Sequence, residues 1–98
     1  MKTCKRIEII IEHGLVNKVD ACLSELGVSG YSLIPSVSGK GSRGERFDDD
    51  PVGTFTNSMF IIACDDEAES RKIVEAVRPL LTRSGGVCLV TDAMAVIH

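Results

Sequence analysis

The chain has no tryptophan, one tyrosine and three phenylalanines. So few rings leave little surface on which bases could stack. A basic excess is also missing: eleven Lys and Arg against fourteen Asp and Glu give a formal charge of −3. Phosphate backbones are held by clustered cations, so this balance argues against a general nucleic-acid binder, although a local basic patch survives it. No C-x-x-C pair occurs among Cys4, Cys22, Cys64 and Cys88, which removes zinc ribbons and thioredoxin motifs. Each cysteine sits in an apolar segment, where a free thiol acts as a small hydrophobe, and all four are expected as buried structural thiols. Long apolar runs are absent: nothing approaches the roughly 18 residues a membrane-spanning helix needs. Glu8 and Glu12 interrupt the opening isoleucines, and no small-residue cleavage site follows, so the start does not read as a secretory signal. These absences predict a reduced, cytoplasmic protein.

What is present suits one domain over residues 1–98: the apolar fraction, 44%, is ordinary for a folded chain. "CKRIEIIIE" alternates, with Ile7, Ile9 and Ile11 on one face and Arg6, Glu8, Ile10 and Glu12 on the other, a strand. In "GLVNKVDACLSELG", Leu15, Val19, Cys22, Leu23 and Leu26 follow helical spacing, and Gly27 supplies a stop. "GYSLIPSV" reads as a second strand with Tyr31 and Leu33 on one face; Pro35 cannot donate to a ladder and places it at a sheet edge. "TNSMFIIAC" is apolar on both faces, a strand buried on both sides. "DDEAESRKIVEAVRPLL" is a second helix, capped by Asp65 or Asp66, with Ile73, Val77, Leu80 and Leu81 inward and Pro79 ending or kinking it near Arg78. "GGVCLVTDAMAVIH" is a last strand, apolar on both faces until Asp92.

The order βαββαβ predicts an α+β, ferredoxin-like fold: a four-stranded antiparallel sheet with both helices on one face. The other face then needs a cover, for two strands are apolar on both sides. Another copy of the chain is the expected cover, since exposed apolar patches of that size are rare on monomers.

One stretch resists a core role. "VSGKGSRGERFDDDPVGTF", residues 37–55, holds four glycines, three cations and four acids. Hairpin loops usually take two to five residues; a polar loop over about 38–54 is far longer. Gly39, Gly41 and Gly44 let backbone N–H groups approach an anion, and Lys40, Arg43 and Arg46 supply charge, with Ser38 and Ser42 adding hydroxyls. Phosphate is the natural anion. A solvated flexible loop of the same composition is the competing reading. The run is no Walker P-loop: Ile34 stands where that pattern needs glycine, and Gly41 follows Lys40 where it needs Ser or Thr. The glycines fit G-x-G-x-x-G spacing, but no helix follows. Asp48, Asp49 and Asp50 read either as a metal site or as mutually repelling solvated acids. His13 and His98 are isolated in sequence and read as ordinary surface or strand-end residues.

With the element order and the long loop, "GYSLIPSVSGKGSRGERF" followed by "NSMFII" resembles the PII signalling superfamily across nearly the whole chain. "GKGSRGER" is similar to its bicarbonate-linked branch, the SbtB-like and carboxysome-associated PII proteins. The resemblance implies a homotrimer with nucleotide clefts between subunits and a loop, the T-loop, that changes shape with the ligand. It implies that Gly39, Lys40, Gly41, Ser42, Arg43 and Arg46 contact phosphates, that Asn57 lines the cleft, and that Gly85, Gly86 and Val87 pack near the base. The implied ligands are ADP, AMP, ATP or cyclic AMP, together with bicarbonate; no prosthetic group is implied, and the implied partner is a bicarbonate transporter or carboxysome-related protein. The family's modified loop tyrosine has no counterpart, since Tyr31 precedes the loop, and neither its longer basic C-terminal segment nor the cysteine-containing tail of some SbtB-like proteins is found in these residues. Uridylylation and 2-oxoglutarate sensing are therefore not expected. The expected function is a sensor rather than an enzyme; a slow nucleotide hydrolase and a nucleotide-independent interaction module are the alternatives.

Overall fold

The computed structural model describes residues 1–28, 30–41, 44–46 and 56–98, with the backbone alone for 39–41 and 44–46. Strand β1, Lys2–Glu12, realises its alternation. Ile7, Ile9 and Ile11 are sealed in the core, while Arg6, Glu8, Ile10 and Glu12 point to the opposite face. A single 3-10 turn over His13–Leu15 leads into helix α1, Val16–Glu25. Leu15, Val19 and Leu23 are buried and Cys22 is half-buried, but Leu26 is exposed, contrary to the predicted stripe. The physical reason is the cap. Leu26 lies beyond the last helical residue, and Gly27, at φ 78°, turns the chain away while donating to the Ser24 carbonyl.

Strand β2, Ser32–Val37, occupies a sheet edge as Pro35 predicted. Its register slips between Ile34 and Val37, and Ser36 sits there at φ 59°. Proline and the bulge thus fall together, where the ladder is already broken. Two further strands follow, β3 (Gly39–Gly41) and β4 (Gly44–Arg46), paired as a small antiparallel hairpin with Lys40 opposite Glu45. The predicted polar loop over 38–54 therefore begins with ordered backbone pairing. Glycine and charge are poor strand formers, which is why the pattern does not show it. The rest of that expected loop, residues 42–43 and 47–54 with Asp48, Asp49 and Asp50, lies outside the described residues.

Strand β5, Asn57–Cys64, buries Ser58, Phe60, Ile62 and Cys64 on the helix side and sets Met59 and Ile61 on the other. Helix α2, Glu67–Ser84, is capped by the Asp66 carboxylate, which accepts from the Glu69 N–H at 2.6 Å. Pro79 neither ends it nor marks its last turn; the helix runs five residues further. Pro79 is exposed, and the turn beyond it is held from both sides: Leu80 and Leu81 pack on the core, and Gly85, left-handed at φ 73°, closes the helix by donating to the Leu81 carbonyl at 2.9 Å. Ser70 and Ser84 continue the buried stripe of Ile73 and Val77 at both ends.

Strand β6, Val87–Ala95, completes a sheet of order β2-β5-β1-β6, antiparallel throughout. One core joins β1 and β5 to Val19 and Leu23 of α1 and Ile73 and Val77 of α2. This is the expected α+β ferredoxin-like arrangement with both helices on one face. The opposite face carries Ile34, Met59, Ile61, Ile10, Val87 and Leu89 in four-strand register and has no layer over it among the described residues; Leu89 is 49% exposed. Among the described residues no helix is long and apolar enough to cross a membrane. Of the four thiols only Cys64 is fully buried; Cys4, Cys22 and Cys88 are half-buried.

Candidate functional site

The sheet has two ends, and the chemistry expected from sequence falls at one of them. Val37 of β2, Asn57 of β5 and Glu12 of β1 lie side by side in register. The hairpin Gly39–Arg46 leaves the sheet from this point, since Gly39 is two residues past Val37. On the other side of β1, Val87 pairs with Ile10. Strand spacings of about 4.8 Å and a two-residue offset put Asn57 and Val87 on the order of 12 Å apart, on the same uncovered face. Gly39, Lys40, Gly41, Arg46, Asn57, Gly85, Gly86 and Val87 are thus gathered by the backbone at one end of the sheet. Ser42 and Arg43 lie outside the described residues.

Gly85 and Gly86 each have a complete structural explanation. Gly85 holds the left-handed cap of α2. At Gly86 a Cβ would stand 2.8 Å from the Ile10 carbonyl oxygen and 3.1 Å from Leu81 Cδ2. Only glycine lets this turn lie against β1, and the turn is what delivers Val87 to the open face.

Three residues of this end carry no local sequence signal. The His13 N–H donates to the Thr56 carbonyl at 2.7 Å, and its ring Nδ1 is 2.9 Å from Ser58 Oγ. The partners are 45 positions apart, so no spacing rule could find them. Thr56 and Ser58 are buried although both are polar. Ser58 is fully enclosed, so its pairing with His13 cannot present a nucleophile to a substrate.

Glu12 stands directly opposite Asn57 on the uncovered face, where cross-strand neighbours are about 5 Å apart. A carboxylate there repels phosphate and suits hydroxyl or amino donors. The cations Lys40, Arg43 and Arg46 belong in sequence to the glycine-rich segment that follows Val37, and Val37 and Glu12 flank Asn57 on opposite sides. Elsewhere, burial pushes the Cys64 thiol up to about 11, and Cys88 is raised for the same reason, so neither is an activated thiol. A hydrogen bond from Tyr31 to Asp20 holds the phenol above its usual range.

An antiparallel βαββαβ sheet with a short glycine-rich pair of strands after its edge strand defines a small α+β class. The chain belongs to the P-II family: the profile for nitrogen regulatory protein P-II matches residues 4–97. Among solved structures it is similar to CPII, a nitrogen regulatory PII-like protein from Thiomonas intermedia K12, bound to ADP, AMP and bicarbonate. The identity is 27%, the TM-score 0.82, and 98% of this chain and 96% of that one are covered. The apo form of CPII superimposes with a TM-score of 0.74 at 27% identity, covering 93% of this chain and 89% of that one. A PII-like signaling protein from Thermus thermophilus shares the fold at 22% identity and a TM-score of 0.74, over 94% and 88% of the two chains. A comparison with curated protein sequences gives no match.

Proposed function

We propose that the protein is a regulatory sensor of the bicarbonate-linked PII branch. It binds an adenine nucleotide, ADP or AMP before ATP or cyclic AMP, together with bicarbonate, in clefts between the subunits of a homotrimer. The observation that carries this reading is the likeness, over almost the whole of both chains, to a protein bound to ADP, AMP and bicarbonate. Two features of this chain support it. Glycine-rich backbone, Asn57 and Val87 converge at one sheet end. The uncovered face beside them, with Leu89 and Ile34 exposed, supplies the apolar surface that a second and third subunit would bury.

In this reading phosphates go to the segment Gly39, Lys40, Gly41, Ser42, Arg43 and Arg46, away from Glu12, and the nucleoside lies toward Asn57 and Val87. The output is conformational. A ligand shifts a loop only by binding one of its states better than another, and the altered segment is what a bicarbonate transporter or carboxysome-related partner in the cytoplasm would read. No catalytic step is needed, and the enclosed Ser58 offers none.

The test is a titration of AMP, ADP, ATP and cyclic AMP with and without bicarbonate, followed by chromatography of the nucleotide. Saturable binding of ADP or AMP that tightens with bicarbonate, with the nucleotide recovered intact, is the expected result. Absence of binding of all four, or steady conversion of ATP, overturns the sensor reading.

A further inference from the structure

We infer that His13 is a positioning residue of this site: it grips both neighbours of Asn57 and so aims that side chain onto the uncovered face. The inference rests on the reading above that Asn57 lines the ligand cleft. The β1–β5 ladder ends at the pair Glu12 and Asn57. His13 is the next residue, already in the 3-10 turn. Its backbone N–H adds one bond past the ladder, to the Thr56 carbonyl at 2.7 Å. Its ring then reaches back across Asn57 to Ser58 Oγ at 2.9 Å. Thr56 is 8% exposed and Ser58 fully buried, so the two anchors are fixed in the interior while Asn57 between them is half-exposed. Side chains alternate along a strand, so pinning Thr56 and Ser58 inward fixes Asn57 outward.

His13 is an exposed residue whose ring bond to Ser58 is part-buried. Replacing His13 by alanine keeps the backbone bond and removes the ring bond alone. Asparagine carries a polar atom on Cγ, where the imidazole carries Nδ1, so His13→Asn restores a partner for Ser58.

The experiment compares wild type, His13→Ala and His13→Asn by three readouts: ADP affinity, amide hydrogen exchange at residues 56–58, and melting temperature. His13→Ala is expected to weaken ADP about threefold to tenfold, the worth of one ordinary hydrogen bond, and to speed exchange at 56–58. His13→Asn is expected to return both to near wild type together with the melting temperature, which His13→Ala lowers because it leaves the buried Ser58 hydroxyl without its ring partner. Equal ADP affinity in wild type and His13→Ala overturns this inference alone. Loss of affinity in both variants, whatever their melting temperatures, also overturns it, because a restored partner for Ser58 then does not restore the site. Failure of the wild type to bind ADP overturns the reading of the site, and this inference with it.

Discussion

Gly85 and Gly86 stand side by side and answer to different forces. One needs a left-handed backbone; the other needs the space that a methyl would take from a carbonyl oxygen of β1. That oxygen is backbone and cannot move aside, so Gly86→Ala should destabilise the fold by about 1–3 kcal/mol, in the range of overpacked cores, read as a lower denaturant midpoint at unchanged slope. The same glycines are expected from the resemblance as nucleotide neighbours, and the packing explains them without a ligand. Cys64 gives a second residue-scale prediction. Its folded value of about 11 stands above the ordinary thiol value of 9.0 because burial opposes the thiolate. The unfolded chain therefore releases this proton first as pH rises, and stability that is intact below pH 9 is lost progressively toward pH 11. Cys64→Ala should flatten that part of the stability–pH curve while lowering its plateau. An equally steep fall in the variant would assign the effect to other groups.

At the scale of elements, most of the fold was legible. Two periodicities carry it: the alternation of Ile7, Ile9 and Ile11, and the helical stripe through Ile73 and Val77. Pro35 placed β2 at the edge because a missing N–H is tolerated only there. What was not legible depends on contacts distant in sequence. Pro79 reads locally as a stop, yet α2 passes it because Leu80, Leu81 and the Gly85 cap hold the next turn. Pro79→Ala should therefore restore an N–H on an exposed helix face without disturbing packing, and stabilise the protein by about 1 kcal/mol or more, since proline inside a helix costs about 3; a lower thermal midpoint would show that the ring itself packs. The hairpin Gly39–Arg46 is hidden in the sequence because its residues have low strand propensity. At the candidate site, the glycines and cations were visible as composition, whereas His13, Thr56 and Ser58 meet only through the β1–β5 pairing.

The described residues form two layers, with one sheet face left open among them. Ile34, Val87 and Leu89 face outward around half-buried Ile10, Met59 and Ile61. The proposed trimer buries this face, so Leu89→Glu should give a folded monomer by light scattering at micromolar concentration, where the wild type has three times the mass of one chain. A wild-type monomer would contradict it. Assembly and ligand binding are then linked, because the proposed clefts exist only where two subunits meet.

The central claim is that the glycine-rich segment holds the phosphates of an adenine nucleotide. The most direct measurement is calorimetric titration of ADP into the wild type and into an Arg43→Ala, Arg46→Ala double variant. Each guanidinium is expected to supply a charge-assisted bond of about 1.5–3 kcal/mol, so each substitution should weaken binding at least tenfold, given about 1.4 kcal/mol per decade, with secondary structure unchanged. Equal ADP affinity in the two proteins would contradict the account.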